Sequence, residues 1–244
     1  MMNALGSILG KLLRFVYDMV SGMAGTEPEA ISFFAISIII TTIIFKIFLL
    51  PLNISQTKNQ LKMAELQPEL QKLQKKYKHD PQTLALKQQQ LYREANHNPL
   101  AGCLPMLIQF PVIIAFYRVF QNPTAFAFTE PGFYESIAKN FFYLKNLDHP
   151  DGTMVLPIIA ALTTFLLSWL TQKKQKELMG NNAQNDQTQG IMNSMTYMMP
   201  LMILIISRRL AAGLILYWTV SNLFSSIQQA ISNSLINKTE EEVS

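Results

Sequence analysis

The sequence predicts an all-α integral membrane protein with five transmembrane helices, an N-terminal interfacial amphipathic helix and a cytoplasmic helical hairpin. Of its 244 residues, 49% are hydrophobic and only 15% are charged, whereas soluble domains carry about 25% charged residues. Five apolar runs are close to or above the length that crosses a bilayer as a helix. These runs are 31–52, 103–120, 154–170, 191–206 and 210–227.

The N-terminal residues 3–22 carry apolar side chains at helical spacing. These are Leu5, Ile8, Leu9, Leu12, Leu13, Val16 and Met19. The pattern predicts an amphipathic helix lying in the outer membrane interface. Lys11 and Arg14 interrupt what would be the apolar core of a signal peptide, and no small-residue cleavage site follows before Ile31. An uncleaved export anchor is the alternative.

Lys46 is the single charge in the first apolar run. A cation inside a membrane span costs about 2.5–3.5 kcal/mol on insertion scales. Lys46 precedes Leu52 by six residues, about 9 Å of helix, which a lysine stem could largely cover by snorkelling. Position alone leaves open whether Lys46 snorkels or places a charge in a polar cavity. Thr42, one turn earlier, shares its face.

The polar stretch after the first run predicts two helices, 55–78 and 81–96, with Asp80 as N-cap and Pro81 as first helical residue. Pro68 is expected to kink the first helix or to mark its start. The apolar stripes that would pair the helices are Leu66, Leu70, Leu73 and Tyr77 on the first and Leu84 and Leu91 on the second.

This hairpin is also basic. The part nearest the turn between its two helices carries Lys72, Lys75, Lys76 and Lys78. It is either a docking arm for an acidic partner, anionic lipid or ribosomal RNA, or a solvated loop whose charge only sets topology. It has no aromatic platform and no recognised nucleic-acid motif, so direct reading of nucleic acid is not expected.

The distribution of Lys and Arg predicts the orientation. Segments 54–97, 171–190 and the tail hold twelve, against six on the alternate side, which places the C-terminus in the cytoplasm and the N-terminus outside. Arg118 is expected to snorkel to the outer interface. Arg208 and Arg209 lie on the outer side, against the rule.

The predicted segments follow from the runs and the orientation. They are an interfacial helix and linker at 1–30, a first span at 31–53, the cytoplasmic hairpin at 54–97, a second span at 98–120, an outer connection at 121–153, a third span at 154–171, a cytoplasmic loop at 172–190, the fourth and fifth spans as a hairpin at 191–232, and a cytoplasmic tail at 233–244.

Polar residues recur within the predicted spans. They are Gln109 in the second, and Tyr217, Trp218, Ser221, Asn222, Ser225 and Gln229 in the fifth. Each alone is most simply a helix-packing hydrogen bonder. The spans contain no His, Asp or Glu to serve as the base of a nucleophile, and the chain has one cysteine and no nucleotide-binding loop. We therefore expect no catalytic residues, cofactor or metal, and no enzymatic activity.

Three separated segments carry a family resemblance: TIIFKIFLLPL at 42–52, NPLAGCLPMLIQFP at 98–111 and GLILYWTVSNL at 213–223. In this order, and with Gln228 and Gln229 beyond the last, they resemble the YidC family of membrane protein insertases, which includes the mitochondrial oxidase-assembly and chloroplast albino proteins. The resemblance covers residues 31 to about 232 and is closest to the Gram-positive form, without a large periplasmic domain. Two departures are Lys46, where the family most often has Arg, and a short acidic tail.

The resemblance implies an insertase and chaperone that works without nucleotide hydrolysis, through a hydrophilic groove open to cytoplasm and lipid. Its groove residues would be Lys46, Thr42, Gln109, Tyr217, Trp218, Ser221 and Asn222. Implied partners are nascent membrane proteins, membrane lipid, the ribosome and the Sec translocon. The chain would act as a monomer in the bacterial plasma membrane. A secondary anion transporter, or a folding and assembly chaperone beside the Sec translocon, are the alternatives.

Overall fold

The computed structural model describes residues 2–96, 104–179 and 186–243, and within these ranges the regular structure is helical, with only isolated β-bridges besides. The helices are α1 (Met2–Ala24), α2 (Phe33–Phe48), α3 (Leu50–Lys76), α4 (Pro81–Glu94), α5 (Leu104–Gln121), the short α6 (Pro123–Phe126) and α7 (Phe133–Ser136), α8 (Val155–Met179), α9 (Asp186–Ser207) and α10 (Ala212–Val243). The predicted all-α class is confirmed.

Membrane-spanning character is clearest in α8. Of the described residues, only Val155–Lys174 forms a single helix long and apolar enough to cross a bilayer. The pair Phe33–Phe48 and Leu50–Asn59 passes the same test together but is bent by 49°. The apolar part of α9, Thr196–Ser207, is shorter.

The bend between α2 and α3 has a local cause. Pro51 lies in the first turn of α3, and proline supplies no backbone N–H and crowds the carbonyl one turn earlier. The chain therefore turns at Leu49, and α3 begins before the expected start at residue 55. Pro68 lies inside α3 and does not mark its start.

The predicted helical hairpin is formed by α3 and α4. Asp80 caps α4 as predicted, because its carboxylate accepts a hydrogen bond of 3.0 Å from the Thr83 N–H, and Pro81 opens the helix. Leu70, on the predicted stripe, is 3% exposed, and α3 packs against α4. The arm therefore has a small apolar seam of its own.

The core lies where α1, α2, α5 and α10 meet the outer connection. Aromatic rings fill it: Phe116 stacks on Tyr217 with ring centroids 3.9 Å apart, and Phe34 packs edge-on against Tyr134. α1 packs against α2 and α5 and buries Leu9 and Leu13 in this core.

The outer connection is bound to the helices by polar contacts as well. The Ser32 hydroxyl caps α2 by accepting from the Ala35 N–H, and it donates to the Asn140 carbonyl at 2.8 Å. Arg118, expected to snorkel to the outer interface, donates to the side chain of Asn3 on α1. These contacts hold the start of α2 and the end of α5 at one end of the bundle.

Candidate functional site

Lys46 lies in the last turn of α2 and is only 7% exposed. Its ammonium group donates a hydrogen bond of 3.0 Å to the Ser225 hydroxyl on α10. Among the described residues, no carboxylate lies within ion-pair distance of this group. The charge is therefore enclosed between two helices, with a neutral hydrogen-bond partner.

A second polar link to α10 lies beyond the bend, on α3. Asn53 on α3 donates through its side-chain amide to the Gln228 side chain on α10, at 3.1 Å. Gln56, one turn further, is 7% exposed. The polar strip thus continues from Lys46 towards the cytoplasmic hairpin. Neither Asn53, the last residue of the predicted first span, nor Gln56, near the start of the predicted hairpin, was identified as a site residue from the sequence.

Thr42 and Ser221, both predicted as groove residues, are buried. The Thr42 hydroxyl donates to the Ile38 carbonyl of its own helix, at 2.6 Å. Thr42 precedes Lys46 by one helical turn, but its hydroxyl donates its hydrogen bond within α2.

Gln109 and Tyr217 connect α5 to α10. The Gln109 side-chain amide lies 3.5 Å from the Tyr217 hydroxyl, at the long end for a hydrogen bond. The Tyr217 ring is 1% exposed and stacks on Phe116. Tyr217 therefore packs in the core and brings only its hydroxyl to the polar residues, while Gln109 is half-buried.

Trp218 and Asn222 face α8. The Trp218 indole N–H and the Asn222 side-chain amide both donate to the Thr164 hydroxyl, at 3.0 and 2.7 Å. Thr164 in turn donates to the Ala160 carbonyl. Thr164 was missed because a threonine in an apolar run usually bonds only its own helix; the adjacent pair Thr163–Thr164 was its only signal.

The predicted site residues thus form two contact groups on α10. One links Lys46 and Ser225 between α2 and α10, and the other links Trp218 and Asn222 to Thr164 on α8. The other predicted site residues are in neither group: Thr42 lies on α2, Gln109 on α5, and Tyr217 and Ser221 on α10.

Comparison with known proteins decides the family. The family model described as 60Kd inner membrane protein matches residues 28–240. A membrane protein insertase YidC of Clostridium perfringens is 39% identical over 195 residues, 80% of this chain and 76% of that protein. The Fusobacterium nucleatum protein of the same name is 37% identical over 223 residues, 89% and 96% of the two chains, and that of Clostridium tetani 34% over 237 residues, 97% of each. The chain belongs to the YidC family.

The segments that carried the YidC resemblance fall on helices that meet. Segment 42–52 spans the end of α2 and the bend, and 213–223 lies in α10. Of segment 98–111, only 104–111 falls within the described residues, at the start of α5. The first segment holds Lys46, and the last holds Tyr217 and Ser221 and ends two residues before Ser225, the hydrogen-bond partner of Lys46.

The four lysines of the proposed docking arm are all solvent-exposed. They lie at the tip of the hairpin, on the last turns of α3 and the turn that follows: Lys72, Lys75, Lys76 and Lys78. In the described part of the chain none of them pairs with a carboxylate. Their positive charge is available to an outside partner.

Proposed function

We propose that this chain is a membrane protein insertase and chaperone, with Lys46 as the charge that draws a polar segment of the incoming protein into a hydrophilic groove. The observation that carries the proposal is the burial of Lys46 with Ser225, rather than a carboxylate, as its partner. A buried charge balanced by a hydroxyl is poorly compensated. A carboxylate of a substrate would pair with it at little cost, because only one neutral hydrogen bond has to be exchanged.

Polar side chains around Lys46 would lower the barrier for the substrate. Unsatisfied backbone groups in hydrocarbon cost several kcal/mol each. Donors and acceptors on α10 and α3, such as Ser225, Asn53 and Gln228, would pair with them during transit. The substrate's apolar helix would then move into lipid, and the membrane potential would add about 2.3 kcal/mol per 100 mV for each negative charge moved outward. The process would need no nucleotide hydrolysis.

The proposed topology has five spans in α2, α5, α8, α9 and α10, an outer N-terminus and a cytoplasmic C-terminus in the bacterial plasma membrane. The uneven distribution of Lys and Arg supports it. The groove would open between α2, α8 and α10 towards cytoplasm and lipid. Further proposed partners are the ribosome and the Sec translocon, met by the basic arm, with the chain acting as a monomer.

The test uses vesicles that contain only this purified chain and lipid, and a single-span test protein with an acidic outer tail. Protease-protected insertion is expected for the wild type and for Lys46→Arg, and is expected to be lost in Lys46→Glu. Lys145→Glu, the same charge reversal at an exposed position of the outer connection, serves as the control and should insert normally.

Two outcomes would contradict the proposal at different levels. Equal insertion by the wild type and Lys46→Glu would remove the electrostatic role of Lys46 and leave insertion intact. No insertion above that of lipid alone would favour an assembly chaperone that acts beside the Sec translocon.

A further inference from the structure

A separate cavity of about 370 Å³ lies at the end of the bundle where α2 starts and α5 ends. It is enclosed by the C-terminal turns of α5, the outer connection and the turn between α9 and α10. Its volume falls in the range of about 300–1,000 Å³ that is usual for small-molecule sites. It is distinct from the Lys46 site, which lies at the other end of α2.

One wall of this cavity is fixed by backbone hydrogen bonds. The carbonyls of Leu147 and His149 accept from the N–H groups of Gly213 and Ala212, at 2.8 and 2.9 Å. The outer connection thereby caps the start of α10. The residue between the two carbonyls, Asp148, is held against the cavity. Because these α10 amides are already bonded, an anion in the cavity would have to be held by side chains.

Two charged residues line the cavity, Asp148 and Arg209. Asp148 is already compensated, since Lys139 pairs with it at 3.1 Å and the Tyr134 hydroxyl donates to it. Arg209 lines the opposite side and is exposed. Within the described residues its guanidinium has neither an ion pair nor a hydrogen bond. The cavity therefore carries one uncompensated positive charge, on a side chain whose planar fork matches phosphate oxygens.

The position of the cavity suits a lipid headgroup. Asp148 and Pro150 on its wall precede Val155, the first residue of the apolar span of α8, by seven and five residues. The cavity therefore lies at the depth where α8 leaves the hydrocarbon. Its floor is apolar, with Phe120 and Leu214 both buried, and would contact the first carbons of the acyl chains.

We propose that this cavity binds the phosphate diester of a membrane phospholipid, with Arg209 as its anion-binding residue. The side chains of Gln121 and Tyr117, which hydrogen-bond to each other at the rim, would meet hydroxyl or ester oxygens of the headgroup. This role explains a cation on the side of the membrane that the positive-inside tendency disfavours. The proposal does not depend on the insertase activity.

The experiment titrates the full purified chain in detergent with dihexanoyl phosphatidylglycerol and measures heat of binding. The wild type is expected to bind saturably, and Arg209→Gln to weaken binding about tenfold, as expected for loss of a charge-assisted contact. Arg208→Gln removes the same charge from the adjacent residue, which does not line the cavity, and should change affinity less than about twofold.

Two further probes identify the source of the phosphate. Glycerophosphoglycerol, the deacylated headgroup, should bind more weakly than the short-chain lipid, because it leaves the apolar floor unfilled, and inorganic phosphate more weakly still. If inorganic phosphate binds as tightly as the lipid, the cavity is a small-anion site and the lipid proposal is wrong. Equal losses in Arg209→Gln and Arg208→Gln would also overturn it, since diffuse surface charge would then account for the binding.

Discussion

The ammonium group of Lys46 and the hydroxyl oxygen of Ser225 are 3.0 Å apart, and their hydrogen bond joins the last turn of α2 to α10. Each of these helices contains part or all of a segment that resembles the YidC family, 42–52 for α2 and 213–223 for α10. The acceptor of this buried cation is a neutral hydroxyl. A carboxylate could therefore replace the hydroxyl as the partner of the ammonium group. The bond is thus a contact between two helices, and under the proposed function it is the contact that a substrate carboxylate would displace.

Replacing Ser225 by alanine should lower stability, because a buried ammonium loses its hydrogen-bond acceptor. We expect a loss of about 1–2 kcal/mol in the free energy of unfolding, measured by thermal unfolding in detergent. Ser226→Ala is the matched control. The Ser226 hydroxyl is buried and has no partner among the described residues, so its removal should be neutral or slightly stabilising. A larger loss in Ser226→Ala than in Ser225→Ala would contradict the assigned bond.

Thr164→Val should separate the α8–α10 contact from the Lys46 contact. Valine keeps the shape but removes the oxygen that accepts from Trp218 and Asn222. One buried and one part-buried donor are then left unsatisfied, so we expect a loss of about 2–3 kcal/mol in the same unfolding measurement. Thr163→Val is the control, because that hydroxyl bonds only the Ala160 carbonyl of its own helix. Equal effects of the two variants would mean that the cross-helix bonds contribute nothing.

Charge neutralisation of the arm tests its docking role. Substituting glutamine for the four exposed arm lysines should reduce insertion into vesicles with anionic lipid severalfold, since each lysine near such a surface contributes about 1 kcal/mol. The four positions are Lys72, Lys75, Lys76 and Lys78. Lys58→Gln with Lys62→Gln, on the same helix nearer the bend, should have less effect. A fully active deletion of residues 66–91 would instead show that the arm's charge only sets topology.

The sequence predicted those features of the fold that depend on the local pattern of residues. The helical class and the Asp80 cap follow from periodicity and local chemistry. The partner of Thr164 could not be predicted, because it depends on which face of α8 meets α10. The bend at Leu49 was missed although Pro51 was visible, because a Pro near the end of a span is also typical of a span that simply ends there.

Asp151 should make stability depend on pH. Burial alone would raise its pKa, but hydrogen bonds from Thr153, from the Leu156 N–H and from the Tyr143 hydroxyl outweigh it and lower the pKa below its ordinary value. Its stabilisation is then fully present above the unfolded pKa of about 3.9 and is lost as the pH falls through the lower folded value.

Thermal unfolding of the wild type between pH 6 and 3 should therefore show a fall in the unfolding temperature beginning near pH 4. Asp151→Asn should unfold at a lower temperature at pH 6 and show a flatter profile below pH 4. The Asp151 contribution would be ruled out if both proteins gave parallel profiles over this range.

The docking of α1 depends on a close approach at Gly10. A Cβ atom there would lie 2.3 Å from the carbonyl oxygen of Phe126 and 2.5 Å from its carbonyl carbon, and backbone cannot rotate away as a side chain could. Gly10→Ala should therefore displace α1 from α6, lower the unfolding temperature and expose α1 to protease. Gly22, in the same helix, has nothing within 4 Å of such a Cβ. Gly22→Ala should stabilise the protein by up to about 1 kcal/mol through helix propensity. The two variants should therefore change stability in opposite directions. A stabilising Gly10→Ala would show that α1 does not pack against Phe126.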